Sequence, residues 1–223
     1  MLSQTEENYL KALFNLASVK GEASVNDLSK QLDIKMPTVN SMIKRLAEKE
    51  YVLYESYKPI KLTEKGKKEA SLIIRKHRLT EMYLAEKMGF GWEEVHDIAE
   101  QMEHIKSPVF FAKMDELLGF PKVDPHGSPI PDVNGEMESE NFMKLSDCKE
   151  GEVVTFMAVG PTSEDLLKFL NSRHLVLGAI ITIITVEPFD KSLIINYAGR
   201  IGEMLSNKVC EKLLVEPFMD PVA

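Results

Sequence analysis

The chain has 223 residues, a formal net charge of −8 and 44% hydrophobic residues, which is the composition of a folded globular protein. No apolar run reaches the roughly 18 residues that a membrane helix needs. The first residues also lack the pattern of a signal peptide, so we expect a cytoplasmic protein with no membrane partner. Cys148 and Cys210 are too few for a disulfide framework or a four-thiolate zinc site, and we expect both to be buried thiols.

Charge is divided unevenly along the chain. Residues 1–76 carry 14 basic and 10 acidic side chains, whereas residues 77–223 carry 13 basic and 25 acidic ones. A basic amino-terminal region attached to an acidic remainder suggests that the first region meets a polyanion such as nucleic acid.

The apolar pattern of the first 76 residues predicts helix, short helix, helix, two-stranded hairpin and long helix. Ser24 suits the N-cap of the second helix, and Pro37 suits the start of the third because its missing N–H would be unpaired there. This is the element order of a winged helix-turn-helix, so we predict a DNA-binding domain over residues 1–76. The predicted ranges are 5–19, 25–32, 37–50, 51–55 with 60–62, and 64–87.

The outward face of the third predicted helix carries residue types that contact DNA. Hydroxyl and amide side chains exchange hydrogen bonds with base edges, and lysine and arginine neutralise phosphates. We therefore expect double-stranded DNA as a partner; the alternative is a solvated polar helix beside an incidental hairpin. The predicted DNA-binding residues are Ser24, Lys35, Pro37, Thr38, Asn40, Ser41, Lys44, Arg45, Lys49 and Lys58.

The middle of the chain changes from helical pattern to a proline-rich segment. Three further helices, separated near residues 89–91 and 107–108, are predicted over residues 77–120. Four prolines without an apolar period predict an extended linker over residues 121–141. Residues 77–141 therefore form the second predicted domain.

The last part of the chain is rich in short strand patterns. Strand-like runs lie at residues 152–159, 179–187 and 192–197, and one helix is predicted over residues 163–173. Several short strands in about 80 residues suggest a small closed or half-closed barrel over residues 142–223. The predicted fold is thus mainly α with a C-terminal β-barrel.

Histidines and carboxylates recur at helical spacing in the middle of the chain, where residues three or four apart share a face. Such imidazole and carboxylate groups on facing helices form divalent-metal sites. Nitrogen and oxygen ligands suit Mn²⁺, Fe²⁺, Co²⁺ or Zn²⁺, and the excess of carboxylates favours Mn²⁺. The alternative is an acidic amphipathic helix with surface or core histidines. The residues are His77, Glu81, His96, Glu100, Glu103 and His104.

Several short motifs together carry a family resemblance. They are Thr5-Glu6-Glu7-Asn8-Tyr9-Leu10, Lys76-His77-Arg78-Leu79, Val95-His96-Asp97 followed by Glu103-His104, and Asp124-Pro125-His126-Gly127 followed by Pro129-Ile130-Pro131. These motifs resemble the diphtheria-toxin-repressor family of metal-dependent transcriptional regulators. The region starting at Leu145-Ser146-Asp147 and Gly151 resembles the FeoA-like, SH3-like barrel of its longer members. The resemblance covers nearly the whole chain.

The resemblance implies two metal sites, for Mn²⁺ or Fe²⁺. Glu100 stands where iron-responsive relatives have cysteine, and this harder ligand favours Mn²⁺ over Fe²⁺. Lys11 stands where the short manganese regulators have an acidic ligand, which argues against their close two-metal arrangement. The primary site would take Asn8, Glu100, Glu103 and His104. The second would take His77, Glu81 and His96, with Asp124 or His126 of the linker or Glu164 or Asp165 of the barrel.

The resemblance also implies a homodimeric, metal-activated repressor of metal-uptake genes that binds a palindromic operator and needs no organic cofactor. An alternative is a metal-independent winged-helix regulator that senses an organic ligand. A metallohydrolase is a further alternative, but the chain has no His-Glu-x-x-His, no Gly-x-Ser-x-Gly and no phosphate-binding glycine loop, so we expect no enzyme. The expected dimer contacts are Leu79, Met82, Tyr83, Val109, Phe110, Met114 and Leu117.

Overall fold

The computed structural model describes residues 2–56, 58–137, 141–161 and 163–219. They fall into two compact units. Met1–Tyr83, Asp97–Lys122 and Ile130–Glu138 form the first unit, and Leu84–His96, Val123–Pro129 and Ser139–Ala223 form the second. Within the described ranges, no helix combines the length and apolar character needed to cross a lipid bilayer.

The first unit opens with the predicted order of helices and hairpin. Ser3 and Ser24 each form a capping box at the start of a helix, and a proline lies in the first turn of the third helix. These local signals explain why the helix boundaries agree with the sequence prediction to within a few residues. The elements are α1 (Gln4–Lys20), α2 (Val25–Leu32), α3 (Met36–Glu48), β1 (Val52–Leu53), β2 (Lys61–Leu62) and α4 (Glu64–Met88).

One apolar core holds α1, α2, α3 and the hairpin together. Leu10, Leu28, Ile43 and Leu46 are completely buried in it. Burial of each such side chain contributes about 1.5–3 kcal/mol relative to exposure. Because the apolar stripe of α3 is fixed in this core, its polar stripe faces solvent.

A second, smaller core joins α4 to α6 (Pro108–Leu117), which follows α5 (His96–Met102). Leu79 and Met114 are buried in this core, so they are not available for the dimer contacts expected of them. Val109, Phe110 and Leu117 are exposed on α6. Any contact with a second copy through α6 therefore falls to these exposed side chains.

The segment expected to be an extended linker is folded, as far as it is described. Val123 and Pro129 form an antiparallel bridge in the second unit, and Asp124 accepts backbone N–H bonds from His126 and Ser128. In the first unit, Ile130 is buried and Arg75 donates to the carbonyl of Pro131. The prolines correctly indicated that this segment is not helical. Its turns depend on hydrogen bonds to side chains and to other segments, which the number of prolines does not predict. Residues 138–140 of this segment lie outside the described residues.

The second unit contains an antiparallel sheet with strand order β3-β8-β4-β5-β6-β7. Phe156, Leu170, Ile195 and Leu213 are completely buried in its core. Cys148 and Cys210 are free and buried there, as expected, and burial raises their pKa values to about 11 and about 12. The elements are β3 (Met143–Lys144), β4 (Val153–Val159), α7 (Glu164–Ser172), β5 (Ile180–Val186), β6 (Leu193–Tyr197), β7 (Arg200–Leu205), α8 (Asn207–Cys210) and β8 (Leu213–Pro217).

Of the two predicted alternatives for the C-terminal region, a closed or a half-closed barrel, the closed one is wrong. In the described part of the chain, β3 and β7 are the two edges of the sheet and do not pair with each other. β3 has only two residues, which is too short to close the sheet. Register shifts in three of the ladders bend the strands without closing them. Turn signals in the sequence show where strands end but not whether the outer strands meet.

Gly127 is required where the segment Val123–Pro129 approaches β4. Its φ is +84°, and an added Cβ would overlap the carbonyl oxygen of Met157 and lie 2.7 Å from Cα of Ala158. Gly151 has nearly the same φ, +85°, but an added Cβ there would meet nothing within 4 Å. Substituting alanine at Gly151 therefore adds backbone strain only, whereas substituting it at Gly127 adds the same strain and a steric overlap.

We predict that Gly151→Ala costs about 1–2 kcal/mol of stability, from left-handed backbone strain alone. Gly127→Ala is expected to cost at least about 3 kcal/mol, because the backbone must also move. Urea unfolding followed by fluorescence of Trp92, the single tryptophan, measures both losses. Equal losses in the two variants would contradict the close approach at Gly127.

Candidate metal centre and DNA interface

Glu103 is a fully buried carboxylate in the turn directly after α5. Its side chain is 0% exposed, and its N–H donates to the carbonyl of Ala99 at 2.9 Å. Oε2 lies 2.6 Å from Nζ of Lys11 and 2.6 Å from Nδ1 of His77. In the part of the chain that the structure describes, no group hydrogen-bonds to Oε1. One oxygen of this carboxylate is therefore satisfied by cations, and the other is not.

Among the described residues, three buried atoms of the predicted primary site have no hydrogen-bond partner: Oδ1 of Asn8, Oε1 of Glu103 and Nε2 of His104. Nε2 of His104 lies 3.7 Å from Oε1 of Glu103, which is too long for a hydrogen bond. An unsatisfied buried polar atom costs about 1–3 kcal/mol, so native structures contain few of them. An amide oxygen, a carboxylate oxygen and an imidazole nitrogen all offer lone pairs. These three atoms fit a divalent metal ion.

Glu100 lies one turn earlier, on α5, and its Oε1 is 2.5 Å from Nζ of Lys11. Its side chain is 39% exposed, in contrast to that of Glu103. Lys11 follows Asn8 by one turn on α1, and this pairing holds α1 against α5 and the turn after it. The structure thus brings together Glu100, Glu103 and His104, and it places Asn8 one turn before Lys11 on α1.

Glu7 orients the imidazole of His104. Its Oε2 lies 2.6 Å from Nδ1 of His104, and the carboxylate also accepts a hydrogen bond from Lys106. Glu7 is only 4% exposed. Because Nδ1–H donates to this carboxylate, the lone pair of neutral His104 lies on Nε2. Sequence reasoning did not assign this role to Glu7, since nothing in the local pattern connects it with a histidine 97 positions away.

Glu6 joins α1 to α3. Its Oε1 accepts from Nζ of Lys49 at 2.6 Å and from Nε of Arg45 at 3.0 Å, and its Oε2 accepts from the backbone N–H of Ser3 at 2.9 Å. Burial favours the neutral acid, but the bonds from Lys49 and Ser3 outweigh it, so the pKa of Glu6 lies below its ordinary value. Two of the predicted phosphate-binding side chains are therefore held by an acidic residue two positions from Asn8.

The remaining predicted DNA-binding residues differ in their surroundings. Asn40 is half-buried and accepts a hydrogen bond from the hydroxyl of Tyr54 at 3.1 Å. The hydroxyl of Ser24 caps α2 and donates to Asp27 at 2.5 Å, which gives Ser24 a structural role. The exposed members are Lys35, Pro37, Thr38, Ser41, Lys44 and Lys58.

His77 and Glu81 lie side by side on α4, with Nε2 of His77 2.9 Å from Oε1 of Glu81. Burial disfavours the charged imidazole, but hydrogen bonds to Glu103 and Glu81 outweigh it and raise the pKa of His77 to about 9. His77 therefore contacts the same carboxylate as Lys11. The four-residue spacing of His77 and Glu81 predicted that they share a helix face, and their side chains are in contact.

The other residues predicted for a second site belong to the second unit. Nε2–H of His126 donates to the carbonyl of Trp92 at 2.8 Å, and Asp124 holds the turn of its segment. Glu164 and Asp165 are exposed in the first turn of α7, where Glu164 pairs with Lys168 at 2.6 Å. His96 is exposed at the start of α5.

Family models match three consecutive stretches of the chain. The N-terminal DNA-binding domain of iron-dependent repressors matches residues 1–60, and their metal-binding and dimerisation domain matches residues 63–132. A FeoA domain matches residues 143–217.

Curated relatives and solved structures cover most of the chain. The iron-dependent repressor IdeR of Mycobacterium tuberculosis is 27% identical over 96% of this chain and 98% of its own length. The HTH-type transcriptional regulator MntR of Oceanobacillus iheyensis is 32% identical over 56% of this chain and 84% of its own length. The structure of a manganese-dependent transcriptional repressor in complex with manganese has a TM-score of 0.86 and 26% identity, covering 96% of this chain and 100% of that one.

We predict that Glu7→Gln weakens Mn²⁺ binding about 10- to 100-fold while the chain stays folded, because the amide no longer fixes the His104 ring as a carboxylate does. Isothermal titration with MnCl₂ measures the change. Glu86→Gln, at an exposed position on α4, is the matched control and should bind like wild type. Unchanged Mn²⁺ affinity in Glu7→Gln would show that the Glu7–His104 contact does not support a metal ligand.

Proposed function

Because the chain belongs to the diphtheria-toxin-repressor family of metal-dependent transcriptional regulators, with a C-terminal FeoA domain, we propose that it represses metal-uptake genes as a homodimer whose operator binding requires Mn²⁺. The family consists of DNA-binding regulators rather than enzymes. The observation that carries the proposal is the set of three buried lone-pair atoms, on Asn8, Glu103 and His104, that lack partners.

The proposed primary metal ligands are Asn8, Glu100, Glu103 and His104. Asn8 belongs to α1, whereas the other three belong to α5 and the turn that follows it. A bound divalent ion supplies positive charge to these donors. The residues then hold α1 against α5 more firmly than the contacts of Glu7 and Lys11 do alone.

Mn²⁺ is the proposed ion because the donors are oxygen and nitrogen atoms. Carboxylate and amide oxygens suit Mn²⁺, and none of the four proposed ligands is a sulfur atom. Both cysteines lie in the core of the second unit. Relatives named for iron and for manganese both resemble this chain, so we propose Fe²⁺ as the weaker activator.

Metal binding is proposed to act on DNA binding through α1. Asn8 lies two positions from Glu6, which holds Arg45 and Lys49 of α3. Fixing α1 fixes the orientation of α3, so less conformational entropy is lost when α3 enters the major groove. A coupling free energy of about 1–3 kcal/mol is typical of such linkage, and it must be reciprocal.

A homodimer is proposed from the exposed apolar surface of α6 and the loop after it. Val109 is 77% exposed, Leu117 is 55% exposed and Phe120 is 65% exposed. Covering such side chains is favourable, and the dimerisation-domain family model spans this region. Two α3 helices about 34–36 Å apart would match successive major grooves of a palindromic operator. The proposed location is the cytoplasm, where DNA is available.

We predict that wild-type protein binds a fluorescent palindromic duplex, selected from a random library in the presence of Mn²⁺, about 5- to 150-fold more tightly with Mn²⁺ than with EDTA. Glu103→Gln and His104→Ala should lose this ratio while remaining folded dimers. Fluorescence anisotropy measures the binding.

Glu86→Gln, at an exposed position on α4, is the control and should keep the full metal response. Wild-type binding that is equal in Mn²⁺ and EDTA would refute the proposed switch. A retained response in both Glu103→Gln and His104→Ala would refute the proposed ligands.

A further inference from the structure

Lys11 lies among the polar side chains of the proposed metal centre and contacts three of its residues directly. We call this group of Asn8, Lys11, His77, Glu100, Glu103 and His104 the cluster. Its Nζ is 2.5 Å from Oε1 of Glu100, 2.6 Å from Oε2 of Glu103 and 3.2 Å from Nδ1 of His77. Its side chain is 12% exposed. Among the described residues, His77, Glu100 and Glu103 are also a group whose potential ligand atoms all converge within 4.8 Å. The ammonium group therefore lies among donors that are themselves suited to a metal ion.

The cluster has two halves that share Glu103. In one half, Lys11 contacts Glu100, Oε2 of Glu103 and His77. The other half consists of Oε1 of Glu103, Nε2 of His104 at 3.7 Å from it, and Oδ1 of Asn8 on α1; within the described ranges none of these three atoms has a hydrogen-bond partner. Lys11 and His77 thus satisfy one oxygen of the Glu103 carboxylate, and no described residue donates a hydrogen bond to the other.

We propose that the ammonium group of Lys11 takes the place of a second divalent ion, so that this cluster binds one ion, held by the four primary ligands proposed above. This inference rests on the proposed function, since it concerns the same metal centre. A lysine ammonium is a compact positive charge with three N–H groups that donate hydrogen bonds. It can therefore satisfy the carboxylates that a neighbouring metal ion would otherwise bridge. Lys11 thereby determines how many ions the centre takes.

Two variants change this group in different ways. Lys11→Glu replaces the cation with a further carboxylate and frees the donors of Glu100, Glu103 and His77. Lys11→Gln removes the charge but keeps a side chain of similar length and polarity. Lys30→Glu makes the same charge change at an exposed position of α2 and is the matched control.

The test adds MnCl₂ alone to each full-length protein and measures bound Mn²⁺ per chain by equilibrium dialysis, together with the Mn²⁺ EPR spectrum. Two ions bridged by carboxylates lie about 3.5–4 Å apart, and their EPR signals are exchange-coupled. We expect a mononuclear spectrum for wild type and Lys30→Glu. We expect one more ion per chain and a coupled spectrum for Lys11→Glu.

If Lys11→Glu does not fold, as judged by circular dichroism, Lys11→Gln is decisive, because its freed donors should also take an additional ion. A coupled pair in wild type would overturn the proposal, since Lys11 would then yield its place to metal. A folded Lys11 variant with no additional ion would overturn it as well.

These failures differ from a failure of the proposed function. Wild-type protein that binds one Mn²⁺ and responds to it on DNA, without a gain of metal in the Lys11 variants, contradicts only the role of Lys11. Wild-type protein that binds no Mn²⁺ contradicts both proposals.

Discussion

The buried carboxylate of Glu103 is the group on which the metal centre depends. A carboxylate removed from water is very costly unless it is paired with charge and hydrogen-bonded. Lys11 and His77 satisfy one of its oxygens, and the other remains without a partner in a buried position. The fold thus holds a negative charge that is only partly compensated by the chain. In the proposed function, a bound cation completes this compensation, which is a physical reason for metal-dependent DNA binding.

Residues in the first turns of α1 connect the surroundings of Glu103 to other elements of the first unit. Glu6, Glu7, Asn8 and Lys11 are close in sequence, but their side chains contact different elements. Glu6 holds α3, Glu7 and Lys11 hold the residues of α5 and the turn after it, and Asn8 offers a donor atom. One helix, α1, therefore contacts both residues of the proposed metal centre and the helix that is proposed to read DNA. This arrangement fits the proposed coupling of metal binding to DNA binding, without a long chain of intermediate residues.

Local chemistry allowed much of the fold to be predicted from sequence. Ser24 and Pro37 start helices because capping and the missing N–H act within one turn. The sequence left a closed and a half-closed barrel open, because closure depends on whether β3 and β7 meet and no local pattern encodes that pairing. Short strands such as β3 are also missed, since two residues carry no detectable period.

In the candidate site, too, contacts between residues close in sequence could be predicted and contacts between distant residues could not. The spacing of Glu100, Glu103 and His104 groups them because one helical turn relates them, and the family resemblance adds Asn8. The pairing of Glu7 with His104 spans 97 positions, and that of Lys11 with Glu100 spans 89, so neither follows from helical spacing. Sequence reasoning proposed the metal ligands but not the residues that orient and neutralise them.

Diffraction at the manganese absorption edge, from crystals grown with Mn²⁺, locates bound manganese relative to the proposed ligands. We predict an anomalous peak within coordination distance of Oδ1 of Asn8, Oε1 of Glu103 and Nε2 of His104. Ordered manganese found only elsewhere in the protein, with these three atoms bound to no ion, would contradict it.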